Sequence, residues 1–222
     1  GEVRDLTQFT KVVEFNDVPA LEAALAPGDV ACVLAEPIMT NVGMVLADDG
    51  YHQKLRDITR AAGTLLIIDE THCMSSGPGG YTGEYGLEPD GLVLGKPIAG
   101  GIPAAVYGFS TPVTERIRKF LETRAPGHSG IGTTLSANML ASTAMRATLE
   151  HVMTDAAYAH MFQLAEKLAI GLRNVIAKHA MPWCVTQVGA RVEFQFSATQ
   201  PINGTEAGNI FDGELERMMH LY

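Results

Sequence analysis

Three short apolar runs in the sequence are each followed by a residue that could do chemistry: Glu36 after the first, Asp69 after the second and Lys96 after the third. Ligands of open α/β sheets bind outside the carboxyl ends of the strands, so residues placed there are the first candidates for a functional site. Asp69 and Lys96 lie 27 positions apart and follow consecutive runs. We therefore expect the carboxylate and the amine to meet at the same edge of a sheet.

Lys96 has the surroundings of a residue that forms a Schiff base. Gly95, Gly100 and Gly101 flank it, so the segment has little side-chain bulk. Pyridoxal phosphate needs an amine to hold its aldehyde and a carboxylate to keep its ring nitrogen protonated. Either residue alone would suit an ordinary surface ion pair. Together they predict a site for this cofactor, with Lys96 as nucleophile and proton carrier and Asp69 as its electrostatic partner, kept ionised by the pyridinium.

The segment around Lys96 is not a P-loop. That motif needs glycines five positions apart, whereas Gly91 lies four positions before Gly95. Pro97 also replaces the Ser or Thr that would bind magnesium. A second glycine-rich stretch, GPGGYTGEYG at 77–86, leaves open an alternative of another class, a non-catalytic α/β nucleotide-binding module.

The apolar runs predict buried parallel strands, because they are continuous, as in strands covered by helices on both faces. Between the first two runs, a helix-period segment stops at Gly63, a residue type favoured just past a helix end, which makes a βαβ unit. The predicted strands are 30–35, 65–68, 92–94, 184–188 and 191–196. The predicted helices cover 51–62, 137–150, 155–179 and 214–221, and two further helices are predicted to begin after Asp17 and at Thr111. Residues 200–213 are predicted to form a loop.

Two units are predicted, with the boundary between residues 150 and 151. Residues 1–150 would be part of a large cofactor-binding α/β domain, and residues 151–222 the beginning of a small C-terminal domain. The second unit opens with a long helix whose Met and Leu stripe from Met161 to Leu172 predicts its packing face. Two alternating segments follow, as in half-exposed antiparallel strands.

The composition is acidic, with sixteen Lys and Arg against twenty-five Asp and Glu and a net charge of −9. That charge argues against a surface that neutralises nucleic-acid phosphates or anionic lipids. No apolar run reaches the roughly 18 residues of a membrane span, and residues 1–10 are polar, without the basic-then-apolar pattern of a signal peptide. Three cysteines without a CxxC pair fit reduced thiols. We expect a cytoplasmic protein with no nucleic-acid, membrane or metal partner.

Four segments carry a family resemblance: VLAEPIMTNVGM at 33–44, LLIIDETH at 65–72, GLVLGKPIAGGIPAAVYG at 91–108 and GTTLSANMLASTAMRATLE at 132–150. In order and spacing they resemble the class III pyridoxal-phosphate-dependent aminotransferases, and most of all the glutamate-1-semialdehyde aminomutase-like branch. The resemblance implies the PLP-dependent transferase fold type I. The chain would hold the second half of the large domain, a mainly parallel sheet with flanking helices, and the start of a small α+β domain.

The resemblance also implies roles for the residues after the second and third strands. Lys96 resembles the Schiff-base lysine that moves the substrate proton, and Asp69 the partner of the ring nitrogen. Thr71 stands where the family usually has Val or Ile against a ring face, so a smaller, polar side chain departs from the pattern. His72 stands where Gln or Met is common, which implies a hydrogen bond to the ring oxygen or the substrate.

Three further residues match the family. Asn41 resembles an asparagine near the ring oxygen, Glu36 a glutamate that supports the site, and Thr134 a threonine that reaches the neighbouring subunit's cofactor phosphate. Each has a simpler interpretation, since Glu36 could cap a turn, Asn41 could be a turn residue and Thr134 could start the next helix. The resemblance implies a homodimer with its active site at the interface.

The implied activity is amino transfer between an amino acid or amine and a keto-acid or aldehyde acceptor. The same residues would serve an aminomutase of the glutamate-1-semialdehyde 2,1 type, which keeps both amino exchanges on one substrate. Members of the family are about twice as long, and nothing before Val30 resembles their phosphate-binding loop. We therefore expect this chain to be a fragment that binds the cofactor poorly and is inactive alone.

Overall fold

The computed structural model describes residues 5–125, 127, 132 and 134–221. The strands are β1 (Cys32–Ala35), β2 (Leu65–Asp69), β3 (Gly91–Leu94), β4 (Val106–Phe109), β5 (Cys184–Val188) and β6 (Arg191–Gln195). The α-helices are α1 (Val18–Leu25), α2 (Tyr51–Ala62), α3 (Gly80–Tyr85), α4 (Thr111–Glu122), α5 (Met139–His151), α6 (Asp155–Lys178), α7 (Gly204–Asn209) and α8 (Gly213–Met219). Short 3₁₀ turns cover Leu6–Gln8, Cys73–Ser76 and Lys96–Ala99.

The main sheet has four strands in the order β1-β2-β3-β4. β1, β2 and β3 run parallel, as predicted. The prediction that all three strands are buried is wrong for β1, where Leu34 is 65% exposed. β4 runs antiparallel to β3, with Val106 opposite Leu94, and the sequence did not predict this strand. Gly108 interrupts the apolar run of this strand, so its sequence lacks the continuous apolar pattern that predicts a buried strand. In the structure, β4 is mostly exposed.

A buried apolar cluster fixes α1 and α2 against β2. Burying a large apolar side chain contributes about 1.5–3 kcal/mol, so a cluster of this size holds the three elements together. The buried members are Leu21, Leu25, Tyr51, Leu55, Leu66 and Ile68.

The helix ends follow the predicted local signals. The Asp17 side chain accepts the Ala20 N–H at 2.9 Å and caps α1. Gly63 lies just past α2 with a φ of 68°, in the left-handed region that favours glycine. The predicted bounds of α2 are confirmed.

α6 packs on the β5–β6 hairpin through a narrow face of mostly small residues. Its buried residues are Tyr158, Ala165 and Ala169. Leu164 and Leu168 are 52% and 53% exposed, so the prediction that the whole Met and Leu stripe is the packing face is wrong. Among the described residues, no helix combines the length and the apolar character that crossing a bilayer requires.

α7 lies inside a segment that the sequence predicted to be a loop, so that prediction is wrong. The Asn203 side chain accepts the Glu206 N–H at 2.8 Å and caps the helix. The Glu14 carboxylate accepts the N–H groups of Gly204 at 2.8 Å and Thr205 at 3.3 Å. Because Glu14 lies 190 positions before Gly204, this stabilisation is invisible in the local sequence.

The C-terminal elements contact the segment that follows β2. The Ala190 N–H donates to the Ser75 carbonyl at 3.0 Å, and the Tyr158 hydroxyl donates to the Met74 carbonyl at 2.9 Å. Gly189, with a φ of 55°, approaches so closely that a Cβ there would lie 2.5 Å from a backbone carbon. The hairpin is thus held against the end of the sheet that carries Asp69. The division into domains at 150/151 stays a prediction.

Candidate active site

Asp69 and Lys96 lie at the same edge of the sheet. Asp69 is the last residue of β2 and pairs in register with Val93 of the neighbouring parallel strand β3. β3 ends at Leu94, and Lys96 opens a 3₁₀ turn directly after Gly95. The parallel pairing therefore delivers the acid and the amine to the carboxyl ends of adjacent strands.

Lys96 has a backbone conformation that is uncommon for a residue with a side chain, since its φ is 50°. The turn it opens ends at Gly100, where a Cβ would lie 3.2 Å from the Thr148 Oγ1 of α5. α5 packs against this turn while Lys96 itself stays exposed. Strained residues persist where their surroundings over-determine them, and they cluster at functional sites.

Asp69 is half-buried, and one of its oxygens is already fixed. Its Oδ1 accepts the Thr71 N–H at 2.9 Å. Within the described part of the chain, Thr71 is the one hydrogen-bond donor to this carboxylate. The second oxygen therefore has acceptor capacity for a cationic ligand group.

The His72 ring lies between Lys96 and Thr40. Its Nε2 contacts the Lys96 Nζ, and its Nδ1 lies 2.7 Å from the Thr40 Oγ1. Thr40 in turn donates its main-chain N–H, at 3.1 Å, and its hydroxyl to the same Glu36 Oε2. Glu36 thereby caps the turn after β1, which was its simpler interpretation, and it also ends a hydrogen-bond chain that starts at Lys96.

Burial lowers the pKa of His72 below its ordinary value. The positive charges of Lys96 and Arg191 lower this pKa further, whereas the carboxylates of Glu36 and Asp69 raise it. The imidazole is therefore mostly neutral near pH 7, when an ordinary histidine has a pKa of about 6.5. Asp69 and Lys96 both act on this ring, so the acid and the amine share one electrostatic environment.

Arg191 reaches this environment from the hairpin, and no sequence motif singled it out. Its Nη2 pairs with the Glu193 Oε1 at 2.8 Å. Its Nε is buried with no hydrogen-bond partner among the described residues. The hairpin is placed by its contact with Ser75, which lies more than one hundred positions earlier, so local patterns could not reveal this neighbour.

Glu70 organises the loop after β2, although no role was predicted for it from the sequence. It is 1% exposed, and its carboxylate accepts the N–H groups of Tyr81, at 3.0 Å, and Thr82. Gly80 has a φ of 65°, and a Cβ there would lie 2.9 Å from the Glu70 Oε2. Because an internal carboxylate binds these N–H groups of the glycine-rich stretch, they are not available to a phosphate. This argues against the nucleotide-binding module.

The other predicted site residues lie around this centre. Thr71 is beside the lysine turn, since its Cγ2 lies 3.5 Å from where a Cβ of Gly95 would be. Asn41 is exposed with a φ of 64°, which is typical of a turn asparagine. Thr134 is exposed in a turn before α5, whose N-cap is Asn138, so Thr134 does not start that helix.

Cys73, next to His72, is not a nucleophile. Burial raises the pKa of its thiol to about 12, which keeps it protonated. In the described ranges, no group of three or more His, Cys, Asp or Glu side chains could hold a metal ion. The chemistry of this sheet edge therefore rests on an amine, a carboxylate and a neutral imidazole.

This donor set fits pyridoxal phosphate. The exposed Lys96 offers a primary amine for an aldehyde, and Asp69 offers a carboxylate oxygen for a protonated ring nitrogen. Thr71 and His72 follow Asp69 in the loop after β2, and their side chains lie next to the turn that carries Lys96.

Comparison with known proteins gives the family. Residues 5–212 match the sequence model described as aminotransferase class-III. The chain belongs to this family. The resemblance carried by the four motifs is confirmed, and class III aminotransferases use pyridoxal phosphate.

Solved structures share the fold. A glutamate-1-semialdehyde-aminomutase from Pseudomonas aeruginosa PAO1 is 54% identical with a TM-score of 0.92, covering 96% of this chain and 48% of that one. A lysine-to-alanine variant from the same organism, in complex with PMP, is 53% identical with the same TM-score and coverage. A β-phenylalanine aminotransferase from Variovorax paradoxus, 24% identical with a TM-score of 0.80, covers 94% of this chain and 48% of that one and shows the fold alone. The predicted α/β fold class is confirmed.

A curated relative gives the same family. The glutamate-1-semialdehyde 2,1-aminomutase of Anaeromyxobacter sp. (strain Fw109-5) is 36% identical over 205 residues, which are 91% of this chain and 46% of that protein. The chain spans about half the length of the relatives it matches.

Proposed function

We propose that this chain carries the catalytic lysine and aspartate of a pyridoxal-phosphate-dependent aminotransferase. The observation that carries the proposal is the delivery of Lys96 and Asp69 to the carboxyl ends of adjacent parallel strands. Membership in the class III family supports it. The donor would be an amino acid or amine, and the acceptor a keto acid or aldehyde.

When bound, pyridoxal phosphate supplies an aldehyde that condenses with primary amines and a ring that accepts electrons. Lys96 provides the primary amine, and its turn against α5 holds that amine at the sheet edge. When not bonded, the same amine can carry a proton to and from a substrate carbon. Asp69 places a fixed negative charge for the ring nitrogen, and the Thr71 N–H holds that carboxylate in place.

Supporting roles are assigned to the residues around this pair. Thr71, beside the lysine turn, would line one face of the ring, and Glu36 would hold the His72 side of the site through Thr40. His72 would face the ring oxygen or the substrate. The two exposed residues Asn41 and Thr134 would reach the ring oxygen and a partner subunit's phosphate, respectively.

Borohydride reduction tests the assignment of Lys96. The chain is incubated with excess pyridoxal phosphate, reduced and mapped by peptide mass spectrometry, and we expect the phosphopyridoxyl label mainly on Lys96. Lys54, an exposed lysine on α2, is the internal control for non-specific labelling. Lys96→Arg, which keeps the charge without a nucleophilic amine, should lose the label. Equal labelling of Lys54 and Lys96 would refute the proposal.

Asp69→Asn tests the acid. Loss of one charge-assisted interaction with the ring should weaken cofactor binding about tenfold or more, read from the cofactor concentration that gives half-maximal labelling of Lys96. We expect weak binding even without the change, because the chain spans about half the length of its relatives.

An intramolecular aminomutase is the second candidate, favoured by the names of relatives that are 36% and 54% identical. Both reactions would use the same lysine and aspartate. A coupled assay separates them, since only the aminotransferase depends on an added keto acid. Conversion of glutamate 1-semialdehyde without any acceptor would favour the aminomutase.

We further propose a homodimer in the cytoplasm, with the site at the interface. Exposed apolar side chains next to Thr134 support the interface: Leu135, Met139 and Leu140 are 77%, 81% and 67% exposed. The three cysteines are free thiols, as expected for a reducing compartment.

A further inference from the structure

The hydroxyl of Thr40 determines the tautomer of His72. A hydroxyl has one proton to donate and two lone pairs to accept with. The Glu36 carboxylate oxygen accepts both the N–H and the O–H of Thr40, and a carboxylate has no proton to return. The one hydroxyl proton is therefore used, and the His72 Nδ1, at 2.7 Å from the Thr40 oxygen, must be the donor of that contact.

A neutral ring with its proton on Nδ1 has a lone pair on Nε2. Nε2 is the atom that contacts the Lys96 Nζ, and a lysine ammonium has three donors and no acceptor. The hydrogen bonds that connect these side chains then all run in one direction: Lys96 donates to His72, His72 donates to Thr40 and Thr40 donates to Glu36.

We propose that His72 is a positioning residue for Lys96: fixed as the Nδ1–H tautomer by Thr40 and Glu36, it accepts a hydrogen bond from the unbonded lysine amine and holds that amine at the cofactor site. Lysine has a flexible four-carbon stem, so a fixed acceptor restricts where its amine goes. The inference rests on the proposed function for the role of Lys96. It goes beyond it by adding Thr40, to which no role was assigned from the sequence.

The charges that face His72 agree with this role. Burial lowers the pKa of His72, and the positive charges of Lys96, on the turn after β3, and Arg191, on the hairpin, lower it further. All three therefore disfavour a protonated His72 ring. Glu36 after β1 and Asp69 at the end of β2 act in the opposite direction but do not reverse the net lowering. The hydrogen bond to Lys96 is therefore present at neutral pH and is lost as the pH falls through the lowered pKa, because a protonated Nε2 cannot accept.

Nitrogen NMR of the histidine rings tests the tautomer without any cofactor. The chain is labelled with ¹⁵N at histidine, and His72→Gln identifies the signals that belong to His72. We expect the coupling pattern of an Nδ1–H tautomer at neutral pH, converting to the doubly protonated form on acidification. An Nε2–H tautomer in the unchanged chain would overturn the proposal, and this measurement needs no variant at Thr40.

Two variants of Thr40 separate a positioning role from a structural one. Thr40→Val removes the hydroxyl at similar volume, and Thr40→Ser keeps it. We expect Thr40→Val to lose the tautomer preference and to slow the labelling of Lys96 by pyridoxal phosphate about tenfold, the effect of losing one hydrogen bond. Thr40→Ser should match the unchanged chain in both. A folded Thr40→Val chain with unchanged tautomer and labelling rate would contradict the role.

The two proposals fail in different ways. If Lys96 of the unchanged chain is labelled no faster than Lys54, the proposed function fails whatever tautomer His72 has. If Lys96 is labelled selectively but His72 carries its proton on Nε2, only the positioning role fails.

Discussion

Asp69 and Lys96 are held in different ways, and the difference suits the roles proposed for them. Asp69 is half-buried, with one oxygen fixed by the Thr71 N–H at 2.9 Å. A fixed charge costs no reorganisation when it has to stabilise a cationic group. Lys96 is exposed on a strained turn, and among the described residues the His72 ring is the one hydrogen-bond partner of its amine. An amine that must bond and later be released needs this freedom.

Burial should make the Cys73 thiol unreactive, although cysteine is a reactive residue type. We expect iodoacetamide to modify the exposed Cys32 at pH 8 and to leave Cys73 unmodified, because the thiolate is the reactive form and burial raises the pKa of Cys73 to about 12. Peptide mass spectrometry reads the sites, with the urea-denatured chain as the control in which both react. Equal modification of the two thiols in the folded chain would contradict the burial of Cys73.

The same pKa shift makes the stability depend on pH. An unfolded cysteine ionises near pH 8.5, whereas Cys73 in the fold stays protonated up to about pH 12. Its contribution to the free energy of unfolding is therefore complete below about pH 8.5 and is lost as the pH rises above that value.

The residues of the site differ in how far the sequence could reveal them. Asp69 follows its apolar run directly and Lys96 follows one residue after the end of its run, so the rule about strand ends pointed to them without a structure. Thr40 acts on His72 across 32 positions, and Arg191 arrives on a hairpin placed by long-range contacts. Such residues have no local pattern, because their roles arise only when distant segments meet.

At the scale of elements, the loop after β2 is built around the buried carboxylate of Glu70. This carboxylate accepts two N–H groups from the first turn of α3, at Tyr81 and Thr82. The Glu70 carbonyl also accepts the N–H groups of Cys73 and Met74, both at 2.9 Å. One residue therefore fixes both the 3₁₀ turn that follows His72 and the start of α3.

Glu70→Gln should destabilise the chain by about 2–3 kcal/mol in urea unfolding, because an amide replaces the charged acceptor of one buried and one half-buried hydrogen bond and brings donors toward other donors. Glu88→Gln is the matched control. Its carboxylate is exposed and pairs with an exposed Arg60 at 3.0 Å, so its loss should cost at most about 1 kcal/mol. Equal effects of the two changes would show that the buried contacts of Glu70 do not stabilise this loop.

Elements with local signals were predicted well, and elements held by distant contacts were not. α2 has its predicted bounds, because its own residues have an amphipathic period and Gly63 follows directly after its last residue. α7 is a short helix whose N-terminus is bound by Glu14, and β4 pairs in a stretch broken by Gly108. The partner that stabilises α7 lies far outside the window in which a pattern can be recognised, whereas β4 has no continuous apolar run to mark it as a strand.

At the scale of the whole molecule, large apolar side chains are exposed on the two edge strands of the main sheet and along α5. Leu34 on β1 is 65% exposed, and Tyr107 on β4 is 53% exposed. Edge strands of this kind readily pair or become covered by other chain segments. On α5 and the turns on either side of it, the large exposed apolar side chains are Leu135, Met139, Leu140, Leu149 and Val152. A surface of this composition favours association.

The α5 surface gives the dimer proposal its test. We expect the chain to sediment as a dimer at micromolar concentration, and Leu140→Lys to shift it to monomer, because a charge would be buried without a partner at the interface. Leu164→Lys, at a similarly exposed leucine on α6, is the control and should leave the dimer intact. Analytical ultracentrifugation measures both. A monomeric unchanged chain, or an equal response to the two substitutions, would contradict an interface on α5, and with it the role of Thr134 toward a partner subunit's cofactor.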